Sequence, residues 1–257
     1  MLIIGHRGAR AEAPENTLGG FRHLRELGVR AVEFDIQVSA DGELVVIHDP
    51  SLERTTSGMG GVGTHTAADL AALDVGRAAW PQWPQREGVP TLDQVLALLP
   101  DFIHLELEVK ARSEADEAAV IARLPALWHQ HALSGRARTT SFNPRYLFGI
   151  REAAPDIARG FLFEEDFMGD ALQVAQALGA SSLGPHQARV TEALVRDAHA
   201  QGLIVSTWTV NDAARAPARR LGRGWPDHRP PHPGAALVQL VRGTIWRVGG
   251  GLRRACS

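Results

Sequence analysis

A single cysteine and a single lysine stand in this chain of 257 residues, beside 26 arginines. The lone Cys256 excludes an intrachain disulfide. No uninterrupted apolar stretch approaches the roughly 18 residues that a membrane-spanning helix needs, and stable membrane insertion is not expected. The first residues, MLIIGHRG, have neither the apolar core nor the small-residue cleavage site of a signal peptide. A soluble, cytoplasmic protein is therefore expected. A GxGxxG fingerprint after the first candidate strand is also missing, which weakens any dinucleotide site.

Acidic residues are scarce in one part only. Residues 213–257 carry nine arginines against the single acid Asp227, whereas residues 1–212 hold 18 basic against 28 acidic residues. A basic tail can bind nucleic acid. This one is broken by Pro217, Pro226, Pro230, Pro231 and Pro233 and has no aromatic interleaving beyond Trp225 and Trp246, so no nucleic-acid partner is expected. The two parts define the expected organisation: a barrel over residues 1–212 and an atypical basic, Pro-rich segment over 213–257.

What the sequence does have is alternation. Short apolar or β-branched runs at residues 2–5, 31–38, 102–109, 137–142, 157–163, 180–183 and 203–210 predict seven strands. Helical spacing at 18–27, 92–99, 115–129, 171–178 and 191–200 falls between them. Strands alternating with helices indicate an α/β fold with a parallel sheet. Seven such units in a chain near 250 residues suggest a TIM (β/α)₈ barrel wanting its eighth strand; an open doubly wound sheet is the alternative. Residues 49–90, rich in Gly, Ser and Thr and then in Trp and Pro, interrupt the rhythm. They form an insertion at a barrel mouth, either capping the substrate or running passively over the surface.

The chemistry-bearing residues cluster at strand ends. His6 and Arg7 follow the first strand, Glu33 and Asp35 alternate on the second, and Glu106, Glu108 and Lys110 alternate near the end of the third. Side chains two apart share a face. Burying such carboxylates is costly unless a cation neutralises them, and carboxylate oxygens suit a hard divalent ion, Mg²⁺ or Ca²⁺. Asp41-Gly42 reads as a two-residue hairpin loop. Counting outward from it pairs Asp35 with His48 and places that imidazole beside the carboxylates. Two histidines near a metal make an acid/base pair, while Lys110 and Arg7 suit phosphate oxygens. His104 is on the same strand face but deeper, and is read as structural. A lone histidine or strand carboxylate is more often structural; convergence on one mouth is what favours function.

These residues lie in words that resemble the glycerophosphodiester phosphodiesterase family: GHRGARAEAPENT, VEFDIQVSADGELVVIHDPSLERTTSGMG, VPTLDQVL, LELEVK, SFNP and STWTVND. The resemblance runs from about residue 3 to residue 212 in six blocks. It implies a TIM barrel, His6 and His48 as general acid and base, and Glu33, Asp35 and Glu108 as ligands of the divalent metal. It also implies Arg7 and Lys110 on the phosphate, Glu15 and Asn16 supporting the site, and Trp208 lining the substrate pocket. Where the family commonly has Asn, this chain has Glu106, which is expected to alter metal preference. The implied reaction converts a small-molecule glycerophosphodiester to an alcohol and sn-glycerol 3-phosphate. The alternatives are a lysophospholipase-D-like or cyclising phosphodiesterase of the same superfamily, and an inactive remnant that binds metal and phosphate. Oligomeric state is left open.

The family pattern fails after WTVND, where a final strand of the type GVDGIITDxP is expected. The chain reads RRLGRGWPDHRPPHPG instead. One choice of synonymous codons for GRGWPDHRPP, read from the second base, encodes GVDGLITDHP. A one-base frameshift between about Asp212 and Gly222 accounts for this, for the prolines and for the sudden positive charge. It predicts an open, destabilised barrel unless GTIWRV or AALVQLV replaces the lost strand.

Overall fold

The structure, a computed structural model, describes residues 2–76 and 79–208, together with the backbone of residues 237–241. Strands β1 (Leu2–His6), β2 (Ala31–Val38), β4 (His104–Val109), β5 (Ala137–Ser141), β6 (Arg159–Phe163), β7 (Ser182–Pro185), β8 (Ile204–Thr207) and β9 (Leu237–Val241) pair in parallel, and β3 (Leu44–Val46) pairs antiparallel with β2. Between them run α1 (Leu18–Glu26), α2 (Ala67–Ala71), α3 (Leu92–Leu98), α4 (Glu114–Gln130), α5 (Pro144–Ala153), α6 (Ala171–Ala177) and α7 (Glu192–Ala200).

Alternation on β2 and β4 positions the site. Val32, Phe34 and Ile36 of β2, with Leu105, Leu107 and Val109 of β4, join the core cluster that includes helix residues Phe21, Leu24, Val95, Val120, Leu124 and Trp128. The intervening Glu33, Asp35, Glu106 and Glu108 consequently face the opposite side, into the barrel. The two strands run in register, with Glu33 opposite Glu106 and Asp35 opposite Glu108. The helices start on side-chain caps: Thr17, Thr91, Ser113 and Thr191 each accept a hydrogen bond from a first-turn amide, and Thr91 and Ser113 form full capping boxes with Gln94 and Asp116.

The expected gap at the eighth position is filled. The segment Leu237–Val241, part of AALVQLV, pairs with β8 on one side (Val205 with Leu237, Thr207 with Gln239) and with β1 on the other (Leu2 with Val238, Gly5 with Val241). With β1 also paired to β2, the eight parallel strands form a complete ring, so of the two outcomes expected for the tail the structure shows AALVQLV in place of the lost strand rather than an open barrel. The interval 212–222, the words GRGWPDHRPP and GTIWRV, and residues 209–210 of the expected strand lie outside the described residues.

The insertion has a core of its own: Val45, Ile47, Leu52, Val62, Ala67, Leu70, Val75 and Val89 pack together. It is tied to α1 through the buried Glu87, which accepts from the Gly19 amide at 3.1 Å and from Trp83 Nε1 at 3.2 Å. A Cβ at position 19 would come within 2.1 Å of the Glu87 carboxylate, so a side chain there would have to displace this tie. Among the described residues, no helix is long and apolar enough to cross a membrane.

Candidate active site

Glu33, Asp35 and Glu108 each offer an oxygen within 4.8 Å of the others at the mouth of the barrel. All three are buried. Among the described residues, Glu33 Oε1 accepts no hydrogen bond, while Asp35 Oδ1 and Glu108 Oε1 are met by the Lys110 ammonium, which lies 3.4 Å from the former and in contact with the latter. Bare carboxylate oxygens packed this closely fit a hard divalent cation. Their titration reports the crowding. Burial, then repulsion from Asp35 and Glu108, pushes Glu33 well up from the usual carboxylate range. Burial opposed by Lys110, with Asp35 repelling, pushes Glu108 up to about 7. Burial acts the same way on Asp35, but Lys110, Arg7 and His48 outweigh it and hold this carboxyl below its ordinary value.

The loop after β1 brings a second set of groups. Arg7 and Asn16 sit at φ values of +54° and +57°, a left-handed backbone that non-glycine residues seldom adopt. Both are over-determined by bonds: the Arg7 amide donates to the Glu33 carbonyl at 2.9 Å and to Glu33 Oε2 at 3.1 Å, and the Arg7 carbonyl accepts from the Asn16 amide at 3.0 Å. Such strain held by its surroundings is characteristic of functional loops. The Asn16 amide donates to Asp35 Oδ2 at 2.9 Å, and Arg7 Nε lies 3.2 Å from the same oxygen. Behind them Glu15 accepts from Arg7 at 3.1 Å and from Arg54 of the insertion at 2.8 Å, with Arg10 Nε at 2.9 Å. Burial raises and these arginines lower Glu15, and the arginines win.

His6 Nε2 is 3.9 Å from Glu33 Oε2. His48 reaches the site by a route different from the one the sequence suggests. The hairpin pairs Ile36 with Val46 and Val38 with Leu44, and the Ser39 amide donates to the Glu43 carbonyl at 3.0 Å. The loop is therefore residues 40–42, one longer than expected, and the Asp35 carbonyl accepts from Ile47 rather than standing opposite His48. One residue of slip would turn His48 to the wrong face. A bend corrects it: the Gln37 amide nitrogen lies 3.1, 2.9 and 2.5 Å from the carbonyl oxygens of Ile47, His48 and Asp49. His48 Nδ1 then bonds Asp49 Oδ1 at 2.6 Å, leaving Nε2 for the cavity. Burial leads the lowering of the His48 pKa, which favours the neutral ring.

These groups surround one cavity of about 250 Å³. His6, Arg7, Glu33, His48, Glu106, Glu108, Lys110 and Trp208 line it, and Asp35, Glu15 and Asn16 stand behind, so every residue singled out as a candidate is brought to the site. Glu106 stands opposite Glu33, two residues before Glu108, and is held ionised against its burial by His104 at 3.2 Å, by the Arg138 charge and by the Ser206 hydroxyl at 3.4 Å. His104 serves it structurally. Sequence reasoning passed over Phe142 and Glu164 of the cavity wall, and Gln37 and Arg54 in support. Phe142 stood in the quoted word SFNP, one residue beyond β5 on the inward parity, and that signal could have found it.

A carboxylate trio, two imidazoles and two cations at the mouth of a (β/α)₈ barrel define a metal-binding barrel enzyme. The chain belongs to the glycerophosphoryl diester phosphodiesterase family, whose sequence model matches residues 6–224. It is 32% identical over 231 residues to the glycerophosphodiester phosphodiesterase of Bacillus subtilis, covering 83% of this chain and 78% of that one. A glycerophosphodiester phosphodiesterase of Caldanaerobacter subterraneus is 31% identical over 211 residues, covering 82% of this chain and 86% of the relative. Among solved structures, an Oleispira antarctica phosphodiesterase in complex with the product sn-glycerol-3-phosphate superposes with a TM-score of 0.78 at 31% identity, over 86% of this chain and 89% of that one.

Proposed function

We propose that this chain hydrolyses glycerophosphodiesters to an alcohol and sn-glycerol 3-phosphate, using Mg²⁺ or Ca²⁺ held by Glu33, Asp35 and Glu108. The observation that carries the reading is the buried carboxylate trio, open on one side to a cavity that also holds His6, His48, Arg7 and Lys110. The all-oxygen donor set favours a hard cation. When bound, the ion supplies Lewis-acid polarisation of the phosphoryl oxygens.

Arg7 and Lys110 bind the phosphate oxygens. Their charges are available for this because the Arg7 guanidinium and the Lys110 ammonium stay protonated: nearby carboxylates, Asp35 foremost for Arg7 and Glu108 for Lys110, outweigh the burial that would lower each. One imidazole takes a proton from the attacking water, whose oxygen bonds to phosphorus as the bond to the alcohol oxygen breaks, and the other imidazole protonates that departing oxygen. Each such proton transfer contributes roughly 10²–10⁴ in rate. Neutral His48, fixed through Nδ1 by Asp49, has its free nitrogen available as an acceptor. Glu15 and Asn16 keep Arg7 and Asp35 in place, and Trp208 contacts the substrate. A cytoplasmic location is part of the proposal and rests on the composition.

Release of glycerol 3-phosphate from glycerophosphocholine by the purified chain, with added Mg²⁺ or Ca²⁺ and a chelator control, tests the reading. Chelator-sensitive release is expected. Silence of both this chain and a frame-restored version would overturn the substrate assignment.

The atypical segment 213–257 is proposed to be the product of a one-base frameshift, supported by its charge, its prolines and the family-type strand in the neighbouring frame. Resequencing the gene tests a sequencing-error origin: an unambiguous reading in the present frame, with the full-length product detected by mass spectrometry, would sink it, whereas a true frameshift mutation would survive.

A further inference from the structure

The cavity is chemically two-sided. Among the described residues, every cation that lines it comes from one side: Arg7 and Arg10 follow β1 and Lys110 follows β4. Glu15 and the metal-site carboxylates already engage all three. The wall built by β5 to β8 presents Thr140, Phe142, Leu162, Glu164, Ser206 and Trp208, with no cation among them.

Depth divides that wall again. Strand register sets Thr140 level with Gly160 at the lower tier, and Leu162 with Gly184 above it. Glu164 is two residues beyond Leu162 and, like Trp208, stands past the end of its strand at the rim. Buried in the cavity wall are Glu106 and Ser206, 3.4 Å apart, a carboxylate and a hydroxyl suited to hydrogen-bond a diol. At the rim the groups differ. The Phe142 and Trp208 rings meet edge to face with centroids 5.3 Å apart, and the Lys110 ammonium lies 5.6 Å from the Phe142 centroid. The neighbouring Glu165 reaches towards His186 at 3.8 Å, but the Glu164 carboxylate has no hydrogen-bond or ion-pair partner among the described residues and is exposed. An unmatched anion that lines the same cavity as two aromatic rings attracts an organic cation, through the ring quadrupole and through charge.

We propose that Glu164, with Phe142 and Trp208, forms a rim subsite for a cationic alcohol, so that the preferred substrates are zwitterionic diesters whose leaving group carries an ammonium or trimethylammonium. This rests on the reaction assigned above and adds the leaving group to it. The diester lies with glycerol towards Glu106 and Ser206, phosphate against Arg7 and Lys110, and the positive end of the alcohol outward over the rings. A second anionic alcohol would meet Glu164 with like charge and is disfavoured.

The test compares kcat/KM for glycerophosphocholine and for glycerophosphoglycerol, whose leaving alcohol is neutral, in the wild type and in Glu164→Gln. The substitution is expected to lower kcat/KM for the choline diester about three- to fivefold, mainly through KM, because the contact is exposed. The glycerol diester is expected to be unchanged, and added salt should shrink the choline preference of the wild type. Equal effects on both diesters, or a wild-type preference for the neutral one, would overturn the subsite while leaving the reaction intact. Absence of turnover with both would instead count against the reaction, and a binding comparison then decides the subsite independently. Choline should broaden in the NMR spectrum on adding protein more than its uncharged isostere 3,3-dimethylbutan-1-ol does, and Glu164→Gln should remove the difference; equal broadening would sink the proposal.

Discussion

Gln37 holds the carbonyl of His48 at 2.9 Å, and that bond decides where the imidazole goes. Its amide gathers three successive carbonyls and turns the chain just after β3, undoing the face reversal that the hairpin register would otherwise impose. Replacing Gln37 with Leu is expected to lower kcat about 10- to 100-fold through misplacement of His48, with a stability loss of about 1–3 kcal/mol from the stranded carbonyls. Steady-state kinetics beside a urea titration measure both; an unchanged kcat would show that the bend holds without the glutamine.

The two histidines give a cleaner separation of chemistry from fold. His6→Ala or His48→Ala should each reduce kcat by about 10²–10⁴ while leaving the melting temperature nearly unchanged, since neither belongs to the hydrophobic clusters. Near-normal turnover in either variant removes that residue from the mechanism.

Metal binding should be visible without turnover. At about a hundredfold excess over Kd, a ligand adds roughly 2.7 kcal/mol, which in a domain of this size is a rise in Tm of about 5–10 °C. Glu33→Gln should abolish that rise and, without metal, melt no lower than the wild type, because burial and the crowding by Asp35 and Glu108 already disfavour the charged form of this carboxyl. A Glu33→Gln protein that still gains the full metal shift would exclude Glu33 as a ligand.

The same crowding sets the pH dependence. Glu108, pushed up to about 7, binds a proton in the metal-free fold that it gives up in the unfolded chain above about pH 4.5. Over that interval the folded state holds more protons, so this group makes the metal-free protein less stable as pH rises. A bound cation displaces the proton, so apparent metal affinity should rise through neutral pH. Calorimetric titrations in buffers of different ionisation enthalpy measure the released proton; affinity that does not vary with pH would contradict the assignment.

Arg54 gives the opposite sign. Burial pushes Asp49 and Glu15 up, but the Arg54 guanidinium, with His48 helping on Asp49 and Arg7 on Glu15, holds both below the usual carboxylate range. Carboxyls depressed in the fold stabilise it above their unfolded values, and the gain disappears as pH falls through the folded ones. Arg54→Met should therefore cost no more than about 1 kcal/mol near neutrality, given that Arg54 is partly exposed. The gap between the two proteins should narrow below about pH 4 in guanidinium-free thermal scans. A gap that widens in acid would refute the carboxylate clamp.

The carboxylate site was legible because β2 and β4 alternate strictly, with Val32, Phe34 and Ile36 outward and Glu33 and Asp35 inward, and period two survives any detail of packing. The hairpin loop was misjudged by one residue for a non-local reason: the Ala40 amide donates to the His65 carbonyl at 2.8 Å and Asp41 accepts from the Ala67 amide at 3.0 Å, so the insertion pulls the turn into a longer form. Arg54 escaped notice for a related reason, since its approach to Glu15 depends on how that insertion folds over its own core. Glu164 stands one residue past β6 on the inward parity of Leu162, as Phe142 does past β5, so period two could have marked it as well.

Lys110 is the only lysine of the chain, and it anchors the barrel mouth immediately after β4. A lysine-specific endoprotease therefore has one peptide bond to attack, Lys110–Ala111, and its cut would separate the strand bearing Glu108 from the helix that follows. With Lys110 mostly buried and bound to Asp35 and Glu108, that bond becomes a natural sensor: the rate at which the chain is nicked counts how often the catalytic mouth comes apart while the rest of the barrel stands.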